Sequence, residues 1–254
     1  LRGTLRAAPE IRNIVRGERF DAALSTGAAV AVAGLPAAAL SRVPSTYIES
    51  VCRLQGPSAT GRLLQRVPGL HLRTQHAGWA DARWRTSESI LSDFRSEAVP
   101  ERRDVGRVFI TLGTIRGYRF DSVVDAFLAS GLANEDTVWQ LGDTTRSDDL
   151  PGQVFDYMAP PEFAHAAREA DVVVTHAGVG TLLEMLAMGI YPVQAVRRAA
   201  RKEHVDDHQT EIADLVNSTD IGIAVEGPHL TAAVLEHAAQ RRIIDGLRIA
   251  APLS

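Results

Sequence analysis

The run Val172-Val-Val174 followed by Thr175-His-Ala-Gly-Val-Gly-Thr-Leu-Leu-Glu184 limits the fold more than any other stretch. A short, wholly apolar run without alternation reads as a strand buried on both faces. Gly178 and Gly180 then mark a tight turn, and Leu182, Leu183, Leu186 and Ala187 recur at helical spacing. A buried strand that turns on glycine into a helix belongs to a parallel sheet covered by helices.

The same alternation runs through the rest of the second half. Strands are predicted at Val108–Leu112, Thr137–Leu141, Gln153–Tyr157, Tyr191–Ala195 and Ile221–Val225. Helices are predicted at Phe120–Ala129, Pro161–Ala170, His208–Val216 and Thr231–Gln240. The first half is shorter but similar. Helices are predicted at Leu5–Arg16, Ala28–Leu40 and Arg62–Val67, and strands at Phe20–Leu24 and Ser45–Ile48, with Leu70–Thr74 as an edge strand. Residues 77–106 are polar and irregular, so the boundary is placed there: one domain at 1–106, the other at 107–254. Two doubly wound, Rossmann-like halves bind ligands at the carboxyl ends of their strands, in a cleft between them.

Composition narrows the class. One cysteine, Cys52, excludes a disulfide framework and fits a reducing, cytoplasmic setting. No apolar run reaches the ~20 residues of a membrane-spanning helix. Charge is uneven. Residues 1–106 carry 15 Lys+Arg against 10 Asp+Glu, and residues 107–254 carry 12 against 21, so a basic half precedes an acidic one. The basic half suits either a solvated arginine-rich surface or the anionic headgroups at a membrane's inner face.

The turn carries the chemistry. A helix N-terminus offers free N–H groups and a positive dipole end to an anion. The segment Gly178-Val179-Gly180 lets backbone approach a phosphate, or simply makes a tight turn. Thr181 and His176 add donors, and Glu184, one helical turn after Gly180, faces the same side and suits ribose hydroxyls. The polar pair His208-Gln209 suits a sugar. Together they read as a site for a nucleotide diphosphate sugar. His204 and His208 are four apart, as helical metal ligands can be, but no H-E-x-x-H signature accompanies them; no metal and no cofactor are expected.

These residues resemble the family 28 glycosyltransferases of GT-B architecture. The resemblance rests on Thr175–Glu184, Gly189, Pro192, His208-Gln209 and the opening Thr111-Leu-Gly-Thr114. Leu24-Ser-Thr-Gly-Ala28, Tyr47-Ile-Glu-Ser50 and Pro57-Ser-Ala-Thr-Gly-Arg62 resemble the membrane-associated partner subunit of the split enzymes that extend a sugar on a polyprenyl diphosphate. The chain looks like a fusion of that subunit with the catalytic one. The partner's opening strand and glycine-rich turn have no counterpart here, which implies an incomplete first domain and a truncated amino end. By resemblance, His176 and Thr181 would contact phosphate, Gly113 and Thr114 would close over the diphosphate, and Gln209, with His208 beside it, would meet sugar hydroxyls. Tyr157 and Met158 would flank the uracil, or Tyr157 is a plain core aromatic. Arg197 and Arg198 form a solvated loop or meet an acidic sugar's carboxylate. Glu49 is the weak candidate for acceptor contact or general base, or a solvated strand end. The implied activity is inverting transfer of a hexose from a UDP-sugar to a lipid-linked sugar, with peripheral membrane contact through the first domain and no nucleic acid partner. A non-catalytic nucleotide-sugar-binding or activating subunit, or a UDP-sugar epimerase of the same fold, is the alternative.

Overall fold

The structure is a computed structural model that describes residues 2–101, 104–205 and 209–245, with backbone only for residues 2–8 and Asp245. The chain forms two compact units that divide between Ser92 and Asp93. No helix among the described residues is long and apolar enough to cross a membrane.

The first unit contains α1 (Arg2–Gly17), β1 (Ala23–Ser25), α2 (Ala31–Leu40), β2 (Ser45–Ile48), α3 (Ala59–Leu64), β3 (Leu70–Thr74) and β4 (Trp84–Thr86). Its four strands are parallel and ordered β1-β2-β3-β4. Leu70–Thr74 is therefore not an edge strand: Leu72, Arg73 and Thr74 pair with Trp84, Arg85 and Thr86. Trp84–Thr86 escapes a pattern search because it is three residues long with one apolar side chain. Helix α2 starts later than Ala28 because Ala28 itself takes a left-handed conformation, φ 64°. Ala31, Leu35, Tyr47, Leu64, Leu70, Leu72 and Trp84 form the core. Trp84 meets Tyr47 and Trp79 edge-on, at 6.0 and 5.2 Å between centroids. The Arg83 guanidinium donates to the carbonyls of Gln65, Val67 and Leu70, satisfying chain ends around α3.

The second unit runs β5 (Phe94–Ala98), β6 (Val108–Thr111), α4 (Asp121–Ala129), β7 (Val138–Gln140), β8 (Gln153–Phe155), α5 (Pro160–Glu169), β9 (Val172–His176), α6 (Val179–Ala187), β10 (Val193–Val196), α7 (Gln209–Thr219), β11 (Ile223–Glu226), α8 (Ala232–Ala239) and β12 (Arg241–Asp245). Six strands form a parallel sheet ordered β11-β10-β9-β6-β7-β8. Pro160 and Pro161 open α5, where their fixed φ fits and their missing N–H costs nothing. On one face Phe109 and Val173 pack with Ala166, Ala167 and Met185 of α5 and α6. Trp139 meets Phe127 of α4 edge-on at 5.4 Å.

Strands β5 and β12 pair antiparallel, Phe94 with Asp245 and Ala98 with Arg241. This pairing joins residues before 106 to the second unit, so the division falls inside the polar stretch and earlier than residue 106.

Candidate functional site

The second sheet reverses its direction of winding between β6 and β9. The chain moves outward from β6 through β7 to β8, then returns to β9 on the other side and continues through β10 to β11. Two neighbouring strands that lead away in opposite directions leave a crevice beyond their carboxyl ends. The loop after β6 holds Gly113 and Thr114, and the turn after β9 holds Ala177 and Gly178.

His176 lies between those two segments. A β-carbon at Gly113 would sit 2.7 Å from His176 Nδ1, and one at Gly178 would sit 2.5 Å from Nε2. Both glycines are thus small because the imidazole fills the space beside them; Gly113 also takes φ 79°, where a side chain is strained. Burial, followed by the positive charges of Arg197 and His204, pushes His176 down to about 4. The ring is neutral at pH 7, and its buried Nδ1 has no partner among the described residues.

Helix α6 begins directly above. Gly178 precedes it in extended conformation and no side chain caps it. The first helical bond runs from Leu182 N–H to the Gly178 carbonyl at 2.9 Å. The N–H groups of Val179, Gly180 and Thr181 therefore lack helical partners, as first-turn donors do. Gly180 is exposed, and a β-carbon there would meet nothing within 4 Å. Thr181 is half-buried; Glu184 is exposed, and its carboxylate makes no hydrogen bond or ion pair among the described residues.

Other candidates fall differently. Thr114 is exposed on the facing loop. Gln209 opens α7 at 9% exposure, and its Oε1 accepts the Arg197 N–H at 2.9 Å. His208 lies outside the described residues, as do Asp206 and Asp207. Tyr157 is exposed and donates its hydroxyl to Asp143 at 2.7 Å, so it is no core aromatic. Asp143 also accepts the Gly117 N–H at 2.6 Å and titrates below the usual carboxylate range because of those bonds. Met158 instead packs against the Phe109 cluster.

Arg197 is neither solvated nor free for a sugar carboxylate. It is 1% exposed, and its guanidinium donates to the carbonyls of Leu112, Tyr118, Arg119 and Glu203. Arg198 is a partner of Glu226 at 3.6 Å. Among the described residues no group of three or more His, Cys, Asp or Glu is arranged around a metal position.

Glu49, in the first unit, is not poised as a base. It is 2% exposed. Oε1 accepts from the Tyr47 hydroxyl at 3.0 Å and Ser50 N–H at 3.1 Å, and Oε2 from Ser58 N–H at 2.9 Å and the Ser58 hydroxyl at 3.0 Å. Gly61 leaves room for that carboxylate, and Ser58 caps α3 by accepting Gly61 N–H at 3.1 Å. The Tyr47–Ser50 and Pro57–Arg62 motifs lock each other.

A buried polar row escaped the sequence reading. Gln194, Thr175, Thr111 and Gln140 stand in register across β10, β9, β6 and β7, all at most 4% exposed. Each interrupts a largely apolar strand, Thr111 and Gln140 at its last position, Thr175 just before His176 and Gln194 second in β10, and a polar residue inside an apolar run was the available signal.

Comparison with known proteins agrees with this architecture. The solved structures of Acinetobacter baumannii MurG (TM-score 0.58, 20% identity, 92% of this chain and 68% of that one) and of the glycosyltransferase SnogD from Streptomyces nogalater (TM-score 0.58, 19% identity, 93% and 70%) share it. The fold is GT-B. Residues 130–242 match the model of the Glycosyltransferase family 28 C-terminal domain. Over 96% of its length it is 27% identical to a UDP-N-acetylglucosamine--N-acetylmuramyl-(pentapeptide) pyrophosphoryl-undecaprenol N-acetylglucosamine transferase of Xanthomonas campestris pv. campestris (strain 8004). The chain spans 58% of that relative's length.

Proposed function

We propose that the chain is an inverting hexosyltransferase that takes its sugar from a UDP-sugar held by the second unit and passes it to a lipid-linked sugar. The uncapped start of α6 beside the His176 stack, at the switch point of the sheet, carries this reading. Val179, Gly180 and Thr181 would donate to the diphosphate, with Gly113 and Thr114 facing it across His176. Glu184 would accept from the ribose hydroxyls, Gln209 and His208 would meet the sugar, and Tyr157 would edge the base. Displacement at the anomeric carbon leaves negative charge on UDP, and fixed N–H donors at a helix start stabilise that charge without reorganising. Neutral His176 can add a hydrogen bond without placing a second buried cation beside Arg197. The residues named need no metal for this. The first unit would hold the acceptor side and, through its basic surface, touch anionic headgroups.

UDP-N-acetylglucosamine, the donor named for the Xanthomonas relative, is the first probe. Radiolabelled donor and a polyprenyl-diphosphate-sugar acceptor, mixed with the chain in EDTA, should give labelled lipid. UDP binding without transfer would favour a non-catalytic subunit, and an epimerised donor would favour the epimerase.

A further inference from the structure

Among the described residues of the second unit, Arg197 is a buried cation that ion pairs do not explain. It follows β10, is 1% exposed and forms no ion pair among the described residues. Burial lowers its guanidinium to about 10, so it stays charged at pH 7. Its two terminal nitrogens donate to backbone, while its buried Nε has no hydrogen-bond partner among the described residues. Nη2 reaches the Leu112 carbonyl at 2.7 Å; Nη1 reaches those of Tyr118, Arg119 and Glu203 at 3.2, 3.3 and 2.9 Å. The guanidinium carbon lies 4.5 Å above the Phe120 ring centre.

Those carbonyls have a pattern. Leu112 stands before the Gly113–Gly117 loop, and Tyr118 and Arg119 stand after it. One planar fork therefore joins both ends of the loop. Within it Gly113 packs on His176, and Gly117 is held by Asp143. Burying an arginine charge is costly unless its partners need it. Lysine cannot copy the fork, because its donors radiate from one atom.

We propose that Arg197 is a positioning residue of the donor site: by closing both ends of the Gly113–Gly117 loop it holds Gly113 against His176, where the diphosphate would enter. This rests on the UDP-sugar reading above.

The test uses the whole chain, with UDP and uridine as probes and amide hydrogen exchange as a readout that needs no ligand. In Arg197→Lys, loss of charged hydrogen bonds should cut UDP affinity about tenfold while uridine affinity stays within about twofold. Amides of residues 113–117 should exchange about tenfold faster, with the other loops unchanged. Phe120→Leu, which removes only the ring beneath the guanidinium, should show the same pattern at about threefold, and it serves if Arg197→Lys does not fold. Equal losses of UDP and uridine, or unchanged exchange at 113–117, would overturn the proposal. A wild-type chain that ignores UDP would instead sink the donor reading, and exchange would still decide whether Arg197 holds the loop.

Discussion

At the scale of single residues, His176 organises the site. The sequence located it, and the glycines near it, but assigned Gly178 to anion approach. Gly178 and Gly113 make room for the imidazole, whereas Gly180 alone opens onto free space. The burial of Arg197 and Glu49 is not legible in the sequence, for one reason. Whether a charged side chain is buried depends on partners remote in sequence, such as Leu112 for Arg197 and Ser58 for Glu49. The His176 environment predicts a pH effect. Unfolded, the ring titrates near 6.5; folded, it titrates at about 4. Between those values the unfolded chain binds the extra proton, so stability falls as pH drops from about 6.5 to 4 and levels off below. This residue's share is up to about 3 kcal/mol. Urea midpoints of wild type and His176→Asn across that range should diverge, the variant losing less on acidification. Parallel curves would refute the neutral buried ring.

At the scale of elements, long patterns were legible and short ones were not. Strands β6 and β9 announce themselves through the unbroken apolar runs Val108-Phe-Ile110 and Val172-Val-Val174. Trp84–Thr86, Phe94–Ala98 and Arg241–Asp245 carry mixed polar residues, and their pairing comes from neighbours rather than from their own periodicity. The β9–α6 turn allows its structural and ligand-facing glycines to be separated. Gly178→Ala pushes a β-carbon into His176 Nε2 and should destabilise the fold by about 1–3 kcal/mol, the range for overpacking. Gly180→Ala meets open space, so its melting temperature should match or slightly exceed wild type, since alanine favours a helix. Its UDP affinity should nevertheless fall, because the methyl group would stand where the phosphate approaches. Thermal melts and UDP titrations of both variants check the pair. Undiminished UDP binding by Gly180→Ala would remove that face of α6 from the site.

At the scale of the whole molecule, alternation of strand and helix announced parallel sheets, and the order of motifs announced the GT-B fold. The division between units was less legible, because Phe94–Ala98 finds its partner at Arg241–Asp245, at the far end of the second unit. The buried row of Gln194, Thr175, Thr111 and Gln140 was likewise invisible, since register across four strands is a tertiary property. The proposed function turns on the switch point of the second sheet binding a uridine diphosphate. Calorimetric titration of UDP into the chain, in EDTA, for wild type and Glu184→Ala tests it directly. Saturable one-site binding is expected, weakened by about 1–3 kcal/mol in the variant, the cost of losing hydrogen bonds to a carboxylate. No saturable heat from wild type, or equal affinity in Glu184→Ala, would contradict it.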